Sequence, residues 1–139
     1  MPCPEGPEDP LTQRYPLQLV GWHTRRRCHS IHDNNQWMDE VEAPALWIHP
    51  KDAGARGIGQ GDLVEVFNDR GSVRIPALVT ERIMRGVTAM SQGGWYRPDG
   101  QGRDTRGSIN VLTDGDHPSP LAKGNPQHTN LVEVKRAGN

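Results

Sequence analysis

The residues most suited to chemistry lie in one glycine-rich segment of the C-terminal half of the chain. Gly93 and Gly94 permit positive φ angles or a close backbone approach that a Cβ atom would block. Trp95 and Tyr96 follow them with flat apolar faces that each carry one polar group, and Asn110 adds an amide downstream. This combination suits the binding of a planar polar ligand. Taken alone, the segment is also explained by a β-hairpin loop with two core aromatics.

A second candidate is the polar run HTRRRCHSIH at positions 23–32. Three adjacent arginines could clamp phosphate groups, because a guanidinium pairs with phosphate oxygens through two hydrogen bonds. The same run offers His23, Cys28, His29 and His32 as zinc ligands, although no second Cys/His cluster with the usual spacing accompanies them. A solvated basic loop is the third interpretation, and the sequence leaves all three open.

A third candidate is the polar segment that follows Asn110. Ser119, Asn125 and His128 carry hydroxyl, amide and imidazole groups that can read the donor and acceptor edge of a heterocycle. No nucleophile-elbow pattern is present, so the sequence does not favour a serine hydrolase. The run GQGD at positions 59–62 lacks a phosphate-loop lysine and precedes a strand, which indicates a structural turn.

The composition describes one small domain with many turns. The chain has 139 residues with 16 glycines and 12 prolines, which favours short elements over long helices. Its net charge of −1 argues against nucleic acid as a partner. Two cysteines without CxxC spacing are too few for a disulfide framework. We recognise no apolar run of membrane-spanning length and no secretion signal at the start of the sequence.

Alternating apolar residues and turn signals predict the elements that position these segments. Pro76 places the fourth strand at an edge or at a bulge. The predicted architecture is mainly β, a compact barrel of about six short strands with one or two short helices and long functional loops. Strands are expected near residues 15–22, 45–48, 63–67, 72–80, 86–90 and 131–134, a helix from Pro50 to Arg56 before Gly57, and a helical turn at 36–41.

The same pattern divides the chain into three parts. Residues 1–14 carry several prolines without periodicity and are expected to form a flexible lead or linker. Residues 15–136 form the predicted domain, and residues 137–139 form a tail.

Five segments in a fixed order give this chain a family resemblance. They are WHTRRRCHS, WIHPKDAGARGIGQGDLVEVFNDRGSV, GGWYRP, INVLT and SPLAKGNPQHTNLVEV. In this order they resemble the C-terminal molybdopterin-dinucleotide-binding domain of the dimethyl sulfoxide reductase family of molybdenum enzymes. The likeness is greatest to the catalytic subunits of the bacterial iron–sulfur, membrane-anchored respiratory branch, and it runs from about Tyr15 to Lys135.

The resemblance implies a double-psi β-barrel and a set of cofactor contacts. It places them on the loop after the first strand, beside the aromatic pair, on the pterin edge and in the last polar segment. The implied residues are His23, Arg27, His29, Ser30, Gly94, Trp95, Tyr96, Asn110, Ser119, Asn125 and His128.

The implied cofactor is molybdopterin guanine dinucleotide in its bis-form, with molybdenum held elsewhere in the full subunit. No catalytic or metal-ligating residue is therefore expected in this chain, which alone would catalyse no oxygen-atom transfer. The implied partners are the remaining domains of the same subunit, an iron–sulfur electron-transfer subunit and a membrane anchor subunit, with an extracytoplasmic, periplasmic location.

Two other functions remain open at the level of the sequence. The first is a stand-alone β-barrel binding module for another ligand or a protein partner. The second is a small zinc enzyme that uses the histidine-rich run at positions 23–32.

Overall fold

The computed structural model describes residues 5–116, 118, 123–124 and 128–138. Within these ranges the chain forms six strands and two short α-helices, and no helix is long and apolar enough to cross a membrane. The strands are β1 (Leu17–Trp22), β2 (Leu46–Ile48), β3 (Leu63–Phe67), β4 (Ser72–Val79), β5 (Val87–Ser91) and β6 (Asn130–Arg136). The helices are α1 (Gln36–Val41) and α2 (Pro50–Gly54), and 3-10 turns occupy Pro10–Gln13 and Ile109–Val111.

The strands close into one barrel in the order β1-β5-β2-β4-β3-β6. β1 pairs with β5 and β2 with β4 in parallel, whereas the other neighbours are antiparallel. Parallel neighbours cannot be joined by a hairpin, so the chain must cross over. The connection from β1 to β2 passes over the position of β5, and that from β4 to β5 passes over β2. These two crossings are the double-psi topology, and the predicted six-stranded, mainly β barrel is confirmed.

Alternating side chains of the strands fill the barrel, because successive residues of a strand point to opposite faces. Leu17 and Leu19 of β1 are buried, as the sequence pattern predicts. The other strands contribute Leu46, Ile48, Val64, Val66, Val73, Ile75, Ala77, Met90, Val132 and Val134 to the same core.

Pro76 does not mark an edge strand, because a closed barrel has none. It pairs with Leu63 of β3 and faces solvent. The next residue, Ala77, donates its backbone N–H toward β3, to the carbonyl of Asp62. The nitrogen of Pro76 therefore faces the β2 side, where pairing with β4 begins only at Ala77. Its missing N–H costs no bond of the barrel.

The strand directions place the two longest connections at one end of the barrel, which we call the loop end. β1 and β5 are parallel to each other and antiparallel to their outer neighbours β6 and β2. Since β3 is antiparallel to both β4 and β6, strands β1, β3 and β5 all finish at the loop end. Connections 23–45, 68–71 and 92–129 therefore leave the barrel there, and connections 49–62 and 80–86 lie at the opposite end.

Connection 92–129 makes close backbone contacts at two adjacent glycines, one with connection 23–45 and one within itself. Gly93 has a φ of +80°, and a Cβ at this position would lie 1.9 Å from the carbonyl oxygen of His29. A Cβ on Gly94 would lie 2.6 Å from the carbonyl oxygen of Gly107. The positive φ and the close backbone approach predicted for this glycine pair are therefore explained by contacts within the chain itself.

The N-terminal segment packs onto the barrel over residues 5–14, where the sequence predicted a flexible lead. Glu5 is 5% exposed, and its carboxylate accepts two hydrogen bonds from Arg70, at 2.6 and 3.0 Å. The same carboxylate accepts the backbone N–H of Leu131 at 2.7 Å, at the start of β6. The composition of residues 1–14 could not reveal this packing, because the partners of Glu5 lie far along the chain. The outer boundaries of the domain stay predictions.

Replacing Glu5 by alanine should destabilise the fold. The change leaves the buried N–H of Leu131 without an acceptor and removes the partner of Arg70, which costs about 1–3 kcal/mol. Urea unfolding of the chain measures the difference, with the exposed Glu8→Ala as the matched control. Equal midpoints for the two variants would show that the segment adds nothing to stability.

Replacing Gly93 by alanine should also destabilise the fold, by forcing the two connections apart. A positive φ costs an L-residue roughly 1–3 kcal/mol, and the contact with His29 adds a backbone shift. Gly100→Ala is the control, because it lies in the same connection with nothing within 4 Å of its Cβ position. A Gly93→Ala variant as stable as Gly100→Ala would contradict the contact.

Candidate functional site

The loop that follows β1 presents a pair of imidazoles to solvent. His23 and His29 are exposed, and their rings stack edge to face with centroids 5.4 Å apart. His29 and His32 adopt positive φ angles of 52° and 74°, so the backbone turns sharply on either side of Ser30. Ser30 is exposed, and its carbonyl accepts the indole N–H of Trp95 at 2.8 Å. The first and second candidate segments are therefore in direct contact.

The aromatic pair lies at the surface and not in the core. Trp95 is 49% exposed and Tyr96 55% exposed, so the alternative of two core aromatics is wrong. The indole is held by its bond to Ser30, and the Tyr96 hydroxyl donates to the carbonyl of Gly102 at 3.2 Å. Gly94, beside Trp95, packs against Gly107 as described above. About half of each residue is therefore exposed to solvent.

Asn110 stands on a short turn whose neighbours anchor it. Ile109 and Leu112 are buried in the barrel core, whereas Asn110 between them is exposed. Ser108, two residues earlier, lies against the Cβ position of Gly94, so the turn sits at the loop end. Within the described part of the chain, the side-chain amide of Asn110 has no hydrogen-bond partner. It is a free donor and acceptor beside the aromatic segment.

The last polar segment is described only at His128 among the predicted residues. Its Nδ1 accepts the backbone N–H of Gly21 at 3.3 Å, at the loop end of β1. His128 is exposed and thus joins the same rim as the other candidates. Ser119 and Asn125 lie outside the described residues, so their predicted contacts stay predictions.

Arg27 is placed differently from the other candidates. Its side chain is 1% exposed, and its Nη2 donates to the Ser91 hydroxyl at 2.7 Å and the Gln92 carbonyl at 2.8 Å. Its Nη1 donates to the carboxylate of Asp33. These bonds tie the loop after β1 to the end of β5. In this arrangement Arg27 supports the exposed residues, and its predicted direct contact with a cofactor stays a prediction.

A buried group of charges, which we call the arginine–aspartate cluster, lies beneath the exposed residues. It consists of Arg26, Arg27, Asp33, Asp39 and Arg106. Asp33 accepts from Arg27 through Oδ1 and from Arg106 Nε through Oδ2 at 3.2 Å. Asp39 accepts from Arg26 and from both Nη atoms of Arg106, at 2.6 and 3.0 Å. The cluster therefore links connection 23–45 to connection 92–129.

Asp33 and Arg26 stay ionised at neutral pH. Burial alone raises the pKa of Asp33, but hydrogen bonds from the Trp95 N–H, Arg27 and Arg106 hold that pKa below its usual range. Burial, followed by the charge of Arg27, lowers the pKa of Arg26, yet a guanidinium remains protonated. Three positive charges thus face two negative ones, which leaves one positive charge in excess.

Sequence reasoning missed most of this cluster. The sequence allowed Arg26 to lie in a solvated basic loop, whereas its side chain is 1% exposed. Asp33 and Asp39 follow the arginines by 6 and 13 residues, which was a usable signal for local ion pairs. Arg106 lies 73 residues from Asp33 in sequence, and no local pattern could have paired them.

Asp104 is a second missed residue, and it shapes the turn that carries Asn110. It is fully buried, and its Oδ2 accepts the N–H groups of Gly107 and Ser108, each at 2.7 Å. Its Oδ1 accepts the N–H of Arg97 at 2.8 Å. One carboxylate thus holds the backbone on both sides of the loop between Tyr96 and Asn110.

The zinc hypothesis has no geometric support. Among the described residues, which include every proposed zinc ligand, no group of three or more His, Cys, Asp or Glu side chains is placed to hold a metal ion. His23 and His29 do contact each other, but Cys28 and His32 complete no ligand set with them.

Comparisons with known proteins agree with the resemblance seen in the sequence. The chain is 52% identical over 132 residues to the dimethyl sulfoxide reductase DmsA of Escherichia coli K12, covering 95% of this chain and 16% of that protein. It is 38% identical over 135 residues to trimethylamine-N-oxide reductase 1 of the same strain, covering 91% of this chain and 16% of that protein. The chain therefore spans about a sixth of the length of these curated relatives.

A solved structure supports the fold, and a family model identifies the family. The fold matches acetylene hydratase from Pelobacter acetylenicus with a TM-score of 0.76 at 17% identity, over 92% of this chain and 19% of that one. At this identity the match supports the fold alone. The family model described as "Molydopterin dinucleotide binding domain" matches residues 17–131, which include strands β1 to β5 and the start of β6. The chain belongs to the molydopterin dinucleotide binding domain family.

Proposed function

We propose that the loop end supplies one wall of the binding site for molybdopterin guanine dinucleotide in a molybdenum enzyme that reduces sulfoxides or N-oxides. The observation that carries the proposal is the exposed amide of Asn110, which has no hydrogen-bond partner among the described residues and lies on the same barrel end as Trp95 and Tyr96. Family membership supplies the cofactor class, and the relatives' names supply the two substrate classes.

The groups at the loop end fit such a cofactor in shape and in chemistry. A pterin and a guanine are flat heterocycles with polar edges, and the half-exposed faces of Trp95 and Tyr96 suit stacking against them. Asn110 can both donate to and accept from a heterocycle edge. The exposed imidazoles of His23 and His29 and the hydroxyl of Ser30 add further polar contacts on the neighbouring loop.

Charged groups lie beneath this wall. The arginine–aspartate cluster holds three guanidiniums and two carboxylates. Asp104 adds a further buried carboxylate at the same end of the barrel. These groups order the loops that carry the wall. His128 is placed to add a polar contact at the end of β1.

The domain acts by positioning and supplies no reacting group. When bound, the cofactor supplies the oxygen-atom transfer chemistry, in its bis-form with molybdenum held by another part of the full subunit. Asn110 orients the heterocycle edge, and Trp95 and Tyr96 exclude water from its face. His23 and His29 contact its polar groups. Holding the ring system in one place keeps its reacting end in register with the rest of the active site.

The proposed partners follow from the size of the relatives. Because the chain spans about a sixth of their length, the remaining domains of the same subunit should complete the cofactor cage. An iron–sulfur electron-transfer subunit and a membrane anchor subunit, with an extracytoplasmic location, belong to the same proposal. No observation favours a stand-alone binding module for another ligand.

Replacing Asn110 by alanine in the full-length protein should reduce its cofactor content while leaving the fold intact. The loss of one or two hydrogen bonds costs about 1–3 kcal/mol, or roughly five- to 150-fold in affinity. Oxidised-pterin fluorescence and released guanine nucleotide, each measured per mole of purified protein, report the change. Asn110→Asp should be at least as damaging, because a carboxylate repels an anionic ligand.

The control for both variants is Glu81→Ala, an exposed residue of connection 80–86 at the opposite end of the barrel. It should retain the wild-type pterin content. Wild-type content in Asn110→Ala would remove that residue from the site, and a wild-type protein without pterin would refute the proposed function.

A further inference from the structure

We infer that Asp33 is a positioning residue that holds the two loops of the proposed cofactor wall together before any cofactor binds. The inference rests on the proposed function, which identifies these loops as one wall of a cofactor-binding site. It concerns a residue that contacts no ligand itself, since the side chain of Asp33 is only 1% exposed.

Asp33 joins groups from three parts of the loop end. Its Oδ1 accepts from Arg27 and lies 3.4 Å from Nη2 of Arg26, both on its own connection. Its Oδ2 accepts the backbone N–H of Trp95 at 2.9 Å and Nε of Arg106 at 3.2 Å, both on connection 92–129. Its backbone carbonyl also accepts from Arg106. Through Arg27 the network continues to Ser91 and Gln92 at the end of β5.

The bond to the Trp95 backbone gives this network its functional meaning. Trp95 exposes 49% of its surface, yet its backbone N–H is tied to a buried carboxylate and its indole N–H to the carbonyl of Ser30. The exposed ring is thus held at two points, and one of them depends on Asp33. Preorganised groups lower the cost of ordering the protein when a ligand binds.

The charges around Asp33 show why a neutral side chain cannot replace it. Arg26, Arg27 and Arg106 face it, with Asp39 as the other carboxylate of the cluster. Without the charge of Asp33, the buried guanidinium of Arg27 keeps no ion pair among the described residues. An uncompensated buried charge is strongly destabilising. Two donors of these arginines, Nη2 of Arg26 and Nε of Arg27, already lack a hydrogen-bond partner among the described residues. The network therefore has no spare acceptor.

The network should hold over the whole neutral range. The folded pKa of Asp33 lies below its unfolded value, so its contribution to stability is present above the unfolded pKa of about 3.9. That contribution is lost only as the pH falls through the lower, folded pKa. Asp33 thus acts as a permanent clamp and not as a pH switch.

The test uses the full-length protein with Asp33→Asn, which keeps the shape of the side chain and removes its charge. We expect hydrogen exchange at the Trp95 amide to rise about tenfold and cofactor release to accelerate by a similar factor. The matched control is Asp52→Asn on α2 at the opposite end, where a carboxylate accepts one backbone N–H, that of Gly86, at 2.7 Å. It should change neither quantity.

The pattern of exchange separates positioning from general instability. A purely structural role would speed exchange throughout the barrel, including β3 and β4. A clamp confines the change to residues 23–45 and 92–110. If Asp33→Asn does not fold, Arg106→Gln cuts the link from the other connection and should produce the same local pattern with smaller changes. Unchanged Trp95 exchange and cofactor release in both variants would overturn the inference.

Failure of the inference about Asp33 can be distinguished from failure of the proposed function. Absence of pterin from the wild-type protein would refute the proposed cofactor. Hydrogen exchange at the Trp95 amide would still test whether Asp33 holds the two loops together. Conversely, if Asn110→Ala loses cofactor but Asp33→Asn shows wild-type exchange and release, the function stands and the clamp does not.

Discussion

Closure of the barrel is the constraint on which the rest of the structure depends. The antiparallel pairing of β1 with β6 joins the first strand to the last, with Leu17 opposite Val132 and Leu19 opposite Asn130. Closure gives every strand a neighbour on each side and surrounds one apolar core. It also fixes the direction of every strand relative to its neighbours. Because of these directions, connections 23–45 and 92–129 emerge side by side although they are far apart in sequence.

The loops at that end are irregular, and buried polar groups keep them in one shape. Loops of this length are costly to order, so they must gain specific contacts. Asp33 accepts backbone and guanidinium donors from both connections, and Asp104 accepts three backbone N–H groups at 2.7–2.8 Å. Gly93 lets the two backbones touch. The surface residues above this layer are consequently free to face a ligand.

Much of the fold could be predicted from the sequence because its signals are local. The alternation of Leu17 and Leu19 in β1 predicts a strand with one buried face, and Pro50 predicts the start of α2. Pro76 shows the limit of such signals. Its missing N–H predicts an edge or a bulge, but the register of β4 with β2 shows that its nitrogen lies where the barrel makes no bond.

The residue types of the candidate wall were determined by the sequence alone, through the glycine–aromatic segment, the histidine run and Asn110. Those types, together with the family resemblance, indicated a binder of a planar polar cofactor. The tertiary structure alone decided which of them face outward and what holds them there. It buried Arg27 and exposed Trp95, and it paired Asp33 with Arg106 across 73 residues. The physical reason is that burial and ion pairing depend on distances in space, which barrel closure sets and local sequence does not encode.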